Sequence, residues 1–460
     1  MTLKPQGPRG VPLLGNLPAY AGDPLAFYER LQREYFGLAY VGFGPVAFYF
    51  VSDPSWVEQL LLGKHRECLK DRVTRLLIPL VGHSILTTDG EPWRKRRKLS
   101  AQPFAPKHIA SYARAMVEST QKHVANYRDG ELRAFDRDSM ALTLDVVGKT
   151  VLGFDPGDEA QRIAQAMEEA IPFFESLMFS AVGQLGRVLP TPKRRRFERA
   201  KRDLDDVVSK IVARARVEGE QGYLLARLAH ARDEGGLSLN ERELADEALT
   251  FLLAGHETTA LVLQYVVYLL SRHADIAGEV RAEIDDVLGE RAVSLADLER
   301  LPLLSATISE ALRLYPPAPV FGREVVTPFE LGGYPIPKGA QLVTSPYALQ
   351  RDARYFPEPE RFRPKRFLDG STKDLPRFAY FPFGGGPRIC IGQHFAIMEA
   401  QLLLATLLQH VELEVPPDFR MELVPVITMR SRRGLPVRVR LRKQARPRPT
   451  LGTSERAHLQ

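Results

Sequence analysis

The sequence predicts a mainly helical protein with small β-sheets, and three observations carry that reading. Apolar stripes at helical spacing recur from about Ser100 to Arg313, broken by Pro, Gly and charged runs, as in HIASYARAMVESTQKHVANY and RDLDDVVSKIVARARVEG. Short segments of strand character flank this block on both sides. No repeat of fixed period is present, which argues against solenoids and propellers.

Taken in order, the opening MTLKPQGPRGVPLLGNLPAY holds four prolines and no long apolar run, so it reads as neither a signal-peptide core nor a membrane anchor. LAYVGFGPVAFYFVSDP alternates on both sides of Gly44-Pro45 and reads as two strands joined by a turn. Ala248 to Leu270 is apolar enough for a membrane span, but Gly255, His256, Glu257, Thr258 and Thr259 occupy its middle. Ionisable groups at mid-membrane depth are costly, so this is a buried core helix whose polar centre faces a cavity. VVTPFELGGYPIPKGAQLVTS carries Gly-Gly and Lys-Gly turn signals between strands, and VELEV, LVPVITM and LPVRVRLR supply the last strands. The Arg-, Pro- and Ser-rich end lacks apolar periodicity, which divides the chain into a folded domain over 1–442 and a basic, disordered tail over 443–460.

Composition bounds the class. The 460 residues are 44% hydrophobic and 26% charged, ordinary for a globular protein with a large core. Only Cys68 and Cys390 are present, too few for a disulfide framework, which fits a soluble protein of the reducing cytoplasm. A net charge of +7 permits acidic partners, nucleic acid or anionic membrane without choosing among them.

Chemistry concentrates in FPFGGGPRICIGQHFAIMEAQLLLATLLQ. Three glycines and a proline make a loop poor in Cβ atoms, and an apolar-striped helix starts just after Cys390. A cysteine there meets the positive end of the helix and backbone donors, which favours the thiolate. A thiolate is what a haem iron needs for splitting the O–O bond.

At these residues the chain resembles the cytochrome P-450 family. Phe383, Gly386, Cys390 and Gly392 meet its Phe-x-x-Gly-x-x-x-Cys-x-Gly signature, and the resemblance implies that Cys390 ligates the iron of haem b. A lone cysteine is more often a buried structural thiol, but four fixed positions match here, whereas Cys68 has no such context. The implied fold is the family's triangular helical prism. Arg388 stands where the family holds a haem propionate, Trp93 and Arg97 fit its Trp-x-x-x-Arg pattern, and Arg323 fits its basic strand position. Glu310 and Arg313 fit its Glu-x-x-Arg motif, with Arg361 as the expected third member of a buried, architectural network.

AGHETT matches the family's oxygen-site pattern, which implies that Glu257 and Thr258 relay protons at a locally widened helix turn. His256 is expected to point away from the iron. Back-bonding to a helix carbonyl is the ordinary fate of a helix threonine, and it is expected of Thr259 rather than Thr258. The implied reaction inserts one atom of O2 into an apolar substrate of terpenoid, fatty acid, steroid or polyketide type. A peroxygenase would lack the intact acid–alcohol pair, and a haem sensor would not need it. Pocket walls are expected from residues 71–90, PFFESLMF, Leu252, Ala254, Val320, Phe321 and the strand around Ile427.

No Gly-x-Gly-x-x-Gly loop or cluster-binding cysteine set is present, so electrons must come from a separate donor, a ferredoxin or flavodoxin with its reductase. WRKRRKLSAQPF offers a basic docking face for it through Arg94, Lys95 and Arg96, with most of this run facing solvent. Nucleic acid is the less favoured reading of that run, and the chain is expected to be monomeric, with no membrane span.

Overall fold

The computed structural model describes residues 4–44, 46–154, 157–179, 191–219 and 222–442. Pro45 and the expected tail lie outside the described residues. The mainly helical reading holds, and strands form within each segment read as strand, while two further strands, Cys68–Lys70 and Leu132–Ala134, lie outside those segments. β1 (Leu38–Phe43) and β2 (Val46–Val51) form an antiparallel hairpin with Leu38 opposite Val51. Further strands are β3 (Cys68–Lys70), β4 (Leu132–Ala134), β5 (Phe321–Val325), β6 (Phe329–Leu331), β7 (Tyr334–Ile336) and β8 (Gln341–Thr344). β9 (Val411–Glu414), β10 (Leu423–Pro425), β11 (Met429–Ser431) and β12 (Pro436–Leu441) complete the set. One sheet runs β1-β2-β8-β5-β3, a second runs β4-β12-β9, and β6–β7 and β10–β11 are hairpins.

The helical body is built round Glu241–Arg272, a helix of 32 residues. It starts on a capping box, Asn240 accepting from Glu243 N while the Glu243 carboxylate accepts from Asn240 N. From Leu244 to Leu270 most of its side chains are buried, against the Phe135–Val147, Pro302–Leu314 and Gln393–His410 helices among others. Among the described residues no helix is long and apolar enough to cross a membrane.

A buried charge network joins the Pro302–Leu314 helix to the loops before Cys390. Arg313 donates to both Glu310 oxygens at 2.8 and 2.9 Å, and neither side chain has accessible surface. The third member is Arg366, not Arg361: Arg366 Nε donates to Glu310 Oε1 at 3.0 Å, and Arg363 N adds a bond of 2.9 Å. Arg361 turns outward to Glu358, with 64% of its side-chain surface accessible. The reason is local geometry. Phe362 takes the inward place beside it, and the 3-10 turn Pro364–Phe367 then carries Arg366 inward.

Removing one member of such a network strands a charge in the core. Glu310→Gln and Arg366→Ala should each cost about 3–5 kcal/mol of stability, whereas Arg361→Ala should stay within about 0.5 kcal/mol. Urea midpoints of the three variants check this.

Candidate active site

Cys390 sits three residues ahead of Gln393–His410 and two ahead of its N-cap, Gly392. The loop is set by backbone: Cys390 N donates to Phe383 O at 3.0 Å, and Gly384 N to Phe381 O at 2.9 Å. Gly386 has φ +68°, and a Cβ there would lie 2.1 Å from Leu61 O, so only glycine fits. Gly392 directs its N–H at the sulfur. Cys390 is accessible to solvent. The thiolate expectation needs correcting. Burial raises the thiol above its ordinary value and outweighs the Gly392 N–H and the Arg97 charge. Ionisation is therefore left to a bound cation, since a coordinating thiol deprotonates outright. Cys68 is a buried thiol pushed up to about 12 by burial, and is inert.

Around this loop cations outnumber acids. Arg97 Nη1 donates to Ile389 O at 2.8 Å, next to the cysteine. Arg388 donates to Thr88 O at 2.8 Å and to Asp89 at 2.5 Å, and its guanidinium lies 4.1 Å from the Trp93 ring centroid. Arg323 is buried on β5, and the β3–β5 register sets Lys70 opposite it. Burial, with Arg323 and Arg388 nearby, pushes the Lys70 ammonium down to about 7, and only Asp71 and Asp89 oppose that. Three guanidinium groups, with Lys70 beside them, thus face two carboxylates. The surplus suits a dianion, and a haem carries two propionates, so the residues present fit the group. Lys70 and Asp89 were not legible in the sequence, because strand pairing and a helix cap bring them in.

On the central helix, Ala254 is accessible and Thr258 partly so, whereas His256, Glu257 and Thr259 are buried. Helical spacing puts Ala254 and Thr258 on one face. The segment is regular α-helix, so the expected widened turn is not there. Thr258 Oγ1 donates to Ala254 O at 2.7 Å, while Thr259 Oγ1 donates to Glu399 Oε2 at 2.9 Å. The threonine expectation is thereby reversed: burial brings Thr259 a partner on the facing helix, and Thr258 has only the Ala254 carbonyl of its own helix. Leu252, expected as a pocket wall, is core at 1% exposure. Phe173, Phe174 and Leu177 are likewise buried, and the rest of PFFESLMF lies outside the described side chains.

Glu257 is ionised despite burial. Burial alone would raise its pKa, but Arg430, donating to Oε1 at 2.5 Å, and Thr428 bring it below the ordinary carboxylate value. Glu399 behaves oppositely: fully buried, bonded only by Thr259 and with Oε1 unpartnered, it is pushed up to about 8. His256 Nδ1 donates to Leu252 O at 2.8 Å, and burial lowers its pKa, so the ring is neutral. The basic run also departs from expectation. Arg96 is buried against Glu243 and Glu247, and Lys95 pairs with Glu243, which leaves Arg94 and Lys98 as the exposed cations.

Fold and site together define a haem-thiolate oxidoreductase. The cytochrome P-450 sequence profile matches residues 5–432. Among curated proteins, cyclooctat-9-en-7-ol 5-monooxygenase of Streptomyces melanosporofaciens is 34% identical, with 89% of each chain covered. Pentalenene oxygenase of Streptomyces avermitilis is 32% identical over 95% of this chain and 97% of that protein. Among solved structures, a retinoic acid-bound cyanobacterial CYP120A1 superposes with a TM-score of 0.83 at 27% identity, covering 96% of this chain and all of the other. The chain belongs to the cytochrome P-450 family, whose members bind haem iron and act as monooxygenases.

Two outcomes follow. Cys390→Ser should lose the long-wavelength band of the reduced, carbon monoxide-bound protein, since an alcohol stays protonated and donates too little charge to iron. Glu399 has a folded pKa above its unfolded one, so the stability it contributes is complete below about pH 4.5 and is lost progressively up to about pH 8, at about 1.4 kcal/mol per unit of separation. Glu399→Gln should therefore flatten the pH dependence of the urea midpoint across that window.

Proposed function

We propose that the chain hydroxylates an apolar terpenoid-like substrate, with residues 1–442 as the haem b domain and electrons drawn from a separate ferredoxin or flavodoxin with its reductase. The observation that carries this reading is the cationic surplus beside a glycine-cradled cysteine. Two relatives are named for cyclooctat-9-en-7-ol and pentalenene, and the structural neighbour holds retinoic acid, all hydrocarbon-rich molecules. When bound, the haem supplies the chemistry that inserts one atom of O2 and releases the other as water.

The chain's own residues divide the remaining work. Cys390 offers the sulfur ligand, with Phe383 and Gly392 holding its loop. Arg97, Arg323 and Arg388 hold the propionates, with Trp93 stacked on Arg388. Thr258 donates its hydrogen bond to Ala254 O, which leaves its oxygen as an acceptor that orients a water. Glu257 is the nearest ionised acid along the helix and hands protons to that water. The exposed Arg94 and Lys98, rather than Lys95 and Arg96, are the cations through which an acidic donor docks. The protein acts as a soluble cytoplasmic monomer, with no membrane span and no nucleic-acid partner.

Thr258→Ala should retain haem and substrate binding yet lose most of its product per electron consumed, the electrons appearing as hydrogen peroxide instead. Unchanged coupling would show that the relay does not use this hydroxyl. Binding spectra across terpenoid, fatty acid, steroid and polyketide panels, following displacement of the iron's water, test the substrate class.

A further inference from the structure

The Gly90–Ala101 helix meets the first turns of the central helix along a seam of charged and hydroxyl side chains. Lys95 and Arg96 pair with Glu243, Arg96 also faces Glu247, and just beyond the helix the Phe104 ring packs on Phe251 at 5.3 Å between centroids. Contacts that advance together along both segments mean that the two run in the same direction. That register sets Ser100, one turn after Arg96, level with Thr250, one turn after Glu247.

None of these four side chains has met its hydrogen-bonding capacity. Arg96 is 5% exposed and Thr250 4%, while Ser100 and Glu247 are fully buried. Arg96 Nε and Nη1, Ser100 Oγ, Glu247 Oε2 and Thr250 Oγ1 are all buried without a hydrogen-bond partner. Arg96 Nε stands 3.6 Å from Glu247 Oε1, too far for a hydrogen bond, and that oxygen already accepts from Ile85 N at 2.9 Å. Native interiors leave few such groups unpaired, so donors and acceptors mixed in one seam form a polar site. Its charges select the ligand. Lys95 and Arg96 face Glu243 and Glu247, and Asp246 on the neighbouring face is taken by His83 N and Arg242. Burial pushes Glu247 up to about 8, so both of its protonation states are within reach near neutral pH. An anion would suit only the protonated acid beside Arg96, and a cation only the carboxylate. Water donates or accepts as required, and makes about three hydrogen bonds when buried.

We propose that this seam is a site for buried water, held by Arg96, Ser100, Glu247 and Thr250, and that the water locks Glu247 as the anchor of residues 82–88. It accepts from Arg96 Nε, exchanges hydrogen bonds with the two hydroxyls and reaches the Glu247 oxygen that Ile85 leaves open. Residues 82–88 thereby take their position from the Gly90–Ala101 helix as well as from the central helix. Their far end meets the cation cluster, since Thr88 O accepts from Arg388. Arg96, Ser100 and Thr250 are positioning residues, acting on that segment through Glu247.

Two measurements on the haem-loaded full chain test this. Crystals soaked in bromide should show ordered density within about 3.2 Å of Arg96 Nε and Glu247 Oε2, with no anomalous bromide peak. Amide hydrogen exchange then reports the lock, because Ser100→Ala and Thr250→Val each remove one partner of the water and leave every charge in place. In either variant Ile85 N should exchange about fivefold faster, the size expected for one lost hydrogen bond, with haem content unchanged. Thr250→Ser keeps the hydroxyl and should exchange as the natural protein does. A seam without ordered density, or one that takes up bromide, overturns the water site. Water present while Ile85 exchange ignores both substitutions overturns the lock. Neither readout involves turnover, so the outcome stands apart from the substrate proposed above.

Discussion

The arrangement of this protein depends on a carboxylate with no access to water. Glu310 is buried with two arginines, and its oxygens are satisfied only if Arg313, Arg366 and the Arg363 backbone all stay in place. A charge without those partners would cost several kcal/mol, so the geometry is enforced rather than favoured. The constraint passes onward through hydrogen bonds. Arg313 donates to Gln350 O, Gln350 Oε1 accepts from Phe381 N, and the next turn ends in the bond from Cys390 N to Phe383 O. The ligand loop is thus tied to the core it sits beside.

A similar economy holds the segment over the cation cluster. Asp246 accepts from His83 N and Glu247 from Ile85 N, so the central helix pins residues 82–88 by two adjacent acids. Gly82 is required there, because a Cβ would lie 2.0 Å from the Asp246 carboxylate. Glu247 is pushed up to about 8 by burial and also faces Arg96. Charges that look like a solvated basic stripe in the sequence are, in part, the mates of these acids.

Two acids flank Thr258 and Thr259 with opposite protonation, and the cause is what surrounds each. Glu257 meets a guanidinium and a hydroxyl and stays ionised; Glu399 meets one hydroxyl and stays neutral. Identical chemistry is set to different tasks by the partners the fold supplies.

Local pattern was enough for the helical class, the hairpin round Gly44, the core helix over Ala248–Leu270 and the cysteine loop, because periodicity and glycine placement act over a few residues. The Phe383, Gly386, Cys390 and Gly392 spacing, with Glu257 and Thr258, was legible for the same reason. Partners across the fold were not. Arg366 displaces Arg361 because a 3-10 turn reverses which arginine faces inward, Arg430 reaches Glu257 from a distant hairpin, and Lys70 meets Arg323 only through strand register. Burial also acts on Cys390, where desolvation outweighs the Gly392 N–H and the Arg97 charge. Sequence by itself determined which groups the protein owns and which stretches coil or pleat; the tertiary structure decided which charges meet, because pairing energies depend on distance and on exclusion of water, and neither is a local property of the chain.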